Sequence, residues 1–125
     1  MKIVVIAEDD PDTAGLIGQA LEERLGVQTE HVSNGALVID ALAAASPDLL
    51  ILDICLPGLN GVDVFDLVRA SGRWADVPVL FVTAAPERAE KAVLHGGVLE
   101  VLTKPFAVAA LVARVERLLA KTAAA

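Results

Sequence analysis

Short apolar runs alternate with longer stretches of helical period from one end of the chain to the other. Ile3-Val4-Val5-Ile6-Ala7 is rich in β-branched residues and does not alternate with polar ones, the pattern of a parallel strand buried on both faces. Asp10 followed by Pro11 predicts a helix start, an N-cap with proline at the first helical position. The helix behind it sets Ala14, Ile17, Ala20, Leu21 and Leu25 on one side and Glu22, Glu23 and Arg24 towards solvent, with Gly26 as its stop. Val27–Val32 predicts a second strand, more polar and suited to a sheet edge. Ser33-Asn34-Gly35 then turns the chain into a helix over Ala36–Ala45, closed by Ser46-Pro47. Leu49–Ile54 is the most apolar strand, ended by Leu56-Pro57-Gly58, and Asn60 starts a helix through Val62, Phe65 and Val68. A strand over Val77–Thr83, a helix from Pro86 to His95, a strand over Val98–Thr103 and a last helix from Phe106 to about Lys121 complete the series.

Strands that alternate with helices must run parallel, joined by right-handed crossovers, so the expected class is α/β with helices on both faces of a five-stranded parallel sheet. Parallel order puts every strand's carboxyl end on one rim, where ligands of open α/β sheets bind. The residues that follow the strands are Glu8-Asp9 after the first, Asp53 near the end of the third, Thr83 at the end of the fourth and Lys104-Pro105 after the fifth. The second strand adds none.

Composition narrows the field of functions. The 125 residues carry 10 Lys+Arg against 17 Asp+Glu, a formal net charge of −7, and the acidic field repels phosphate backbones. With 3% aromatic residues and no basic patch, stacking platforms for single strands are missing too. The expectation is therefore no direct nucleic-acid binding, any such contact having to come from another chain. The apolar run in MKIVVIAEDD is too short for a signal segment or a membrane span, and Cys55 is the single cysteine. No membrane contact and a reducing, cytoplasmic setting are expected.

Three carboxylates gathered on one rim repel one another and call for a cation. A hard, oxygen-liganded ion suits them: Mg²⁺ takes one or two carboxylates, here Asp9 and Asp53, with Glu8 acting through water and the Cys55 carbonyl as a further oxygen. Asp53, flanked by Leu52 and Ile54, is expected to serve as a nucleophile towards a phosphoryl group. The Thr83 hydroxyl and the Lys104 ammonium are placed to neutralise phosphoryl oxygens.

Taken together, the acidic pair in IAEDD, the acid in LILDICLPGLNG, the hydroxyl in VTA and the lysine in TKPF make the chain resemble, over almost its whole length, a receiver domain of the two-component response regulator family, chemotaxis-regulator-like in build. The resemblance implies a doubly wound, flavodoxin-like sheet in strand order 2-1-3-4-5, with residues 1–121 as the receiver and 122–125 as a short Ala-rich tail. It implies Mg²⁺ held by Glu8, Asp9, Asp53 and Cys55, phosphorylation of Asp53, and Thr83 and Lys104 on the acyl phosphate. A cis Lys104-Pro105 peptide is implied as well. The phosphoryl donor would be a histidine kinase or histidine phosphotransfer protein, and a downstream protein would read the fourth helix, fifth strand and fifth helix. Such a domain is a signalling switch and not a conventional enzyme, its only catalysis being its own phosphoryl transfer and autodephosphorylation.

One position departs from that family. An aromatic switch residue usually stands three places before the lysine; here it is Val101, preceded by Gly97-Val98-Leu99-Glu100 where acidic residues are common. Repacking of the fourth and fifth helices around Val101 and Leu99 is the expected route of output. The departure also feeds an alternative reading, a pseudo-receiver that binds partners without phosphorylation. Nucleotide, flavin and phosphatase readings fit less well. No GxGxxG follows a strand, the first loop is Glu-Asp-Asp-Pro-Asp and would repel a phosphate, and the second residue beyond Asp53 is Cys55 where a phosphatase needs an acid. His31 and His95 share no ligand spacing and read as solvated or packing residues, Trp74 as a loop packing residue, and Asp12 as a helix-start acid. The last helix closes with Leu118-Leu119-Ala120-Lys121 and Thr-Ala-Ala-Ala, leaving no room for an effector domain within these residues.

Overall fold

A computed structural model describes residues 1–93 and 99–124. Its elements are β1 (Ile3–Ala7), α1 (Pro11–Leu25), β2 (Gln28–Val32), α2 (Val38–Ala45), β3 (Leu49–Leu52), α3 (Gly61–Ala70), β4 (Val79–Thr83), α4 (Pro86–Val93), β5 (Leu99–Thr103) and α5 (Val108–Ala124). All strand pairs are parallel and the sheet order is β2-β1-β3-β4-β5, as the resemblance implies.

The double burial of the central strands follows from their alternation. Val5, Ala7, Leu50, Leu52, Val79 and Phe81 face α2, α3 and α4, where Val38, Leu42, Val64, Phe65, Val68, Ala89 and Ala92 complete one core. Val4, Ile6, Leu49, Ile51, Leu80, Val82 and Leu102 face α1 and α5 and meet Ile17, Leu21, Leu111, Val115 and Leu118. A run with no polar residue is what a strand between two such layers requires. The scarce aromatics serve packing: Phe65 and Phe81 stand 5.6 Å apart, and Trp74 packs at the margin of the same core.

Several element ends differ from those predicted, each for a local reason. The strand expected over Leu49–Ile54 stops at Leu52, because the Ile54 carbonyl turns to accept from the Leu56 and Gly61 main-chain N–H groups. β4 begins at Val79 rather than Val77, after Pro78, which has no N–H to give to a ladder. β2 begins at Gln28. The helix expected from Ala36 opens as a 3₁₀ turn over Gly35–Leu37, with the Asn34 side chain accepting from the Ala36 N–H at 2.8 Å. α5 starts at Val108, its first turn closed by Leu111 N–H on the Ala107 carbonyl, and runs on through Thr122 to Ala124. The predicted reach of α4 to His95 and of β5 back to Val98, together with Gly97, lies outside the described residues.

The turns below the rim are tightly fitted. Gly61 opens α3 against the main chain of β3's exit, where a Cβ would stand 2.2 Å from the Asp53 carbonyl oxygen. Gly35 meets Leu59 in the same way, at 1.7 Å from its carbonyl oxygen. Asn60 caps α3 by accepting from the Val62 and Asp63 N–H groups at 3.0 and 3.1 Å and donating to the Asp63 carboxylate at 2.8 Å.

Candidate functional site

Ladder bonds carry each rim residue to its place. The Asp53 N–H donates to the Ala7 carbonyl at 3.0 Å and the Glu8 N–H to the Val32 carbonyl at 3.0 Å, so both acids leave the sheet at the same level. Lys104 N–H donates to the Thr83 carbonyl at 2.9 Å, extending the β4–β5 pairing by one step. Asp9 then follows Glu8 into the turn before α1, whose Asp10 cap accepts from the Asp12 and Thr13 N–H groups at 3.4 and 3.3 Å.

These bonds bring carboxylate oxygens of Glu8, Asp9 and Asp53 within 4.8 Å of one another. Glu8 and Asp53 are 2% and 6% exposed, whereas Asp9 is open to solvent. Lys104 Nζ donates to Asp53 Oδ2 at 2.8 Å and also to Glu8 Oε1. The remaining oxygens are held too: Cys55 N–H donates to Asp53 Oδ1 at 3.3 Å and Asp10 N–H to Glu8 Oε2 at 3.2 Å. Thr83 is fully buried, and its Oγ1 accepts from the Ala85 N–H at 3.0 Å, which leaves the hydroxyl proton to donate.

The electrostatics follow from this crowding. Burial raises the Glu8 carboxyl above its ordinary value, against the lowering by Lys104 and the Asp10 N–H, and the Asp53 charge adds to the rise. Burial would lower the Lys104 ammonium, but its bonds to Asp53 and Glu8 outweigh that and raise it. One ammonium against three carboxylates leaves the cluster net negative. The donor set is all carboxylate oxygen, partly buried and partly open, and so fits a hard divalent cation.

The structure thus brings Glu8, Asp9, Asp53, Thr83 and Lys104 to one rim, and the Lys104-Pro105 peptide is cis. Cys55 is exposed beside them, with Arg88 Nη1 3.8 Å from its Sγ. Val101 lies on β5, partly buried against the α2–α4 side of the sheet, its carbonyl accepting from Arg114 at 3.1 Å. The Leu99 side chain, the other residue expected to repack there, lies outside the description, as does the end of α4 in the expected output face.

Three contacts went unpredicted. His31 is not simply solvated: its Nε2 lies 2.7 Å from the Glu8 carbonyl oxygen. Arg88 joins the rim from α4. Glu100 takes both Arg114 and Arg117 from α5. Only the third carries a sequence signal, opposite charges on adjacent elements.

The model of the response regulator receiver domain family matches residues 4–116. Among relatives, the transcriptional regulatory protein PcoR of Escherichia coli is 38% identical over 120 residues, covering 95% of this chain and 52% of its own. The DNA-binding response regulator MtrA of Mycolicibacterium smegmatis is 33% identical over 113 residues, covering 90% and 48%. The solved receiver domain of sensor histidine kinase PA1611 of Pseudomonas aeruginosa superposes with a TM-score of 0.83 at 26% identity, covering 95% of this chain and 98% of that one, and has a magnesium ion coordinated in its active-site cleft.

These relatives correct the expected set of partners, from which nucleic acid was excluded: proteins named as a DNA-binding response regulator and a transcriptional regulatory protein are 33% and 38% identical to this chain. A net charge of −7 describes the field of these 125 residues alone. The chain spans about half the length of the curated relatives it matches, and a charge argument does not reach the other half. Among the described residues no helix is long and apolar enough to cross a membrane. The order of the sheet, the acidic rim and the matched residues lead to one assignment: the chain belongs to the response regulator receiver domain family of two-component signal transduction.

Proposed function

We propose that this domain is a phosphoacceptor switch, taking a phosphoryl group from a phosphohistidine donor onto Asp53. The observation that carries the reading is the pairing of Lys104 Nζ with both Asp53, at 2.8 Å, and Glu8, beside an acidic set that includes Asp9. An Asp53 carboxylate oxygen attacks phosphorus; the new O–P bond forms as the donor's N–P bond breaks, and the imidazole leaves with the electron pair. Lys104 shifts from carboxylate to phosphoryl oxygen, and the Thr83 hydroxyl donates to another. Glu8, Asp9, Asp53 and the Cys55 carbonyl would hold Mg²⁺, which supplies charge neutralisation for in-line transfer when bound. Autodephosphorylation follows when water attacks phosphorus: a new O–P bond forms as the O–P bond to Asp53 breaks, inorganic phosphate leaves, and the carboxylate is restored.

The acyl phosphate adds charge where the cluster is already crowded, and a small difference in its fit to two conformations suffices to shift their populations. Residues 1–121 contain every group in this scheme, and a cytoplasmic setting, where phosphohistidine donors arise, belongs to it. The test is incubation with Mg²⁺ and acetyl phosphate followed by intact mass. A phosphoryl adduct that is absent in Asp53→Asn is the expected result. An unmodified wild type refutes the proposal in favour of phosphorylation-independent binding.

A further inference from the structure

The β1–β2 ladder ends where Ala7 pairs with Val32 and Glu8 N–H reaches the Val32 carbonyl. The next main-chain acceptor, the Glu8 carbonyl oxygen, lies beyond the last rung and is taken by a side chain, His31 Nε2 at 2.7 Å. A carbonyl only accepts, so Nε2 carries the proton; the neutral Nε2–H tautomer and the imidazolium both serve, and the bond does not depend on which is present. The peptide so gripped joins Glu8 to Asp9, two of the three clustered acids. Asp9 is the exposed one of the three, and its Cα is the far end of the peptide whose carbonyl His31 holds.

We propose that His31 is a positioning residue for the cation site, fixing the Glu8–Asp9 peptide and with it the spacing of the two carboxylates on a divalent cation. The inference rests on the reading of Glu8, Asp9 and Asp53 as that site. It is the outer-shell role that a hydrogen bond to a ligand's own group plays in metal sites, here exerted through the main chain. His31 is exposed on an edge strand and borders an open groove of about 510 Å³ between α1 and β2, shared with Pro11 and Gly18, so replacing it leaves no hole in either core.

The experiment is calorimetric titration of the metal-free protein with Mg²⁺, for wild type, His31→Leu and His31→Gln. Loss of the bond in His31→Leu raises the Mg²⁺ dissociation constant roughly five- to tenfold. His31→Gln, whose amide N–H reaches as far as the imidazole, returns it to within about twofold. Metal-free melting temperatures stay together. Equal affinity in wild type and His31→Leu overturns the inference, as does equal weakening in both variants, which would place the effect in strand packing. A wild type that binds no Mg²⁺ refutes the cation site itself, and the role of His31 with it.

Discussion

Replacing Lys104 by methionine keeps the length and apolar stem of the side chain and removes the charge shared by Glu8 and Asp53. Two unit charges 2.8 Å apart attract by about 6 kcal/mol at an effective dielectric near 20. Desolvation of the ammonium and the carboxylates offsets much of that, and the lysine side chain keeps 22% of its surface in solvent. Removing one partner of a buried pair leaves the other charge uncompensated, which costs about 3–5 kcal/mol for full burial, so about 2–4 kcal/mol is expected here. Urea denaturation followed by far-UV circular dichroism, near neutral pH with EDTA, reads this as a lower midpoint at unchanged slope. Excess Mg²⁺ should recover part of the loss by binding the same carboxylates in the folded state alone. Acidification should narrow the gap as Glu8, whose carboxyl burial raises, takes up its proton. An unchanged metal-free midpoint in Lys104→Met would refute the assignment of the ammonium as the cluster's internal counter-charge.

Three further outcomes follow from the same geometry. Because burial raises the Glu8 carboxyl, the folded state holds that proton more tightly than the unfolded chain; the stability it contributes is full below the ordinary value of 4.5 and is lost as pH rises through the folded one. The stability of Glu8→Gln minus that of wild type, in EDTA, should therefore grow from about pH 4 towards pH 7, and a falling difference would contradict the burial argument. Gly61→Ala forces a Cβ to 2.2 Å from the Asp53 carbonyl oxygen unless the chain shifts, and should cost about 1–3 kcal/mol by chemical denaturation while weakening Mg²⁺ binding. Asn60→Ala removes the cap of α3 and should cost about 1 kcal/mol with the Mg²⁺ affinity retained, which separates helix stability from the site.

The elements were legible where local chemistry decides them. Asp10-Pro11 and Gly26 bracket α1 as predicted, the latter in a left-handed conformation at φ 65°, and the unbroken apolar run of β1 announced burial on both faces. Most of the rim was legible too, since a parallel sheet collects whatever follows its strands. Boundaries that depend on distant partners were not: Ile54 leaves β3 because Gly61, seven positions on, donates to its carbonyl. The contact between His31 and the Glu8 carbonyl depends on the register Ile6↔His31, which no periodicity reports in a strand as polar as β2. Arg88 reaches Cys55 across 33 positions, by a fold of α4 over the β3 exit that residue types alone do not encode.

The bond between Lys104 and Glu8 spans 96 positions of chain. A polypeptide made at about 5–20 residues per second therefore carries Glu8 for roughly 5–20 s before Lys104 exists. During that interval β1 and β3 can pair, but the carboxylates at their ends have only solvent and free ions to offset them. The cluster gains its counter-charge only once β5 and Lys104 arrive, with α5 still to follow. A chain lacking β5 and the residues after it would carry the Glu8 and Asp53 carboxylates without their lysine.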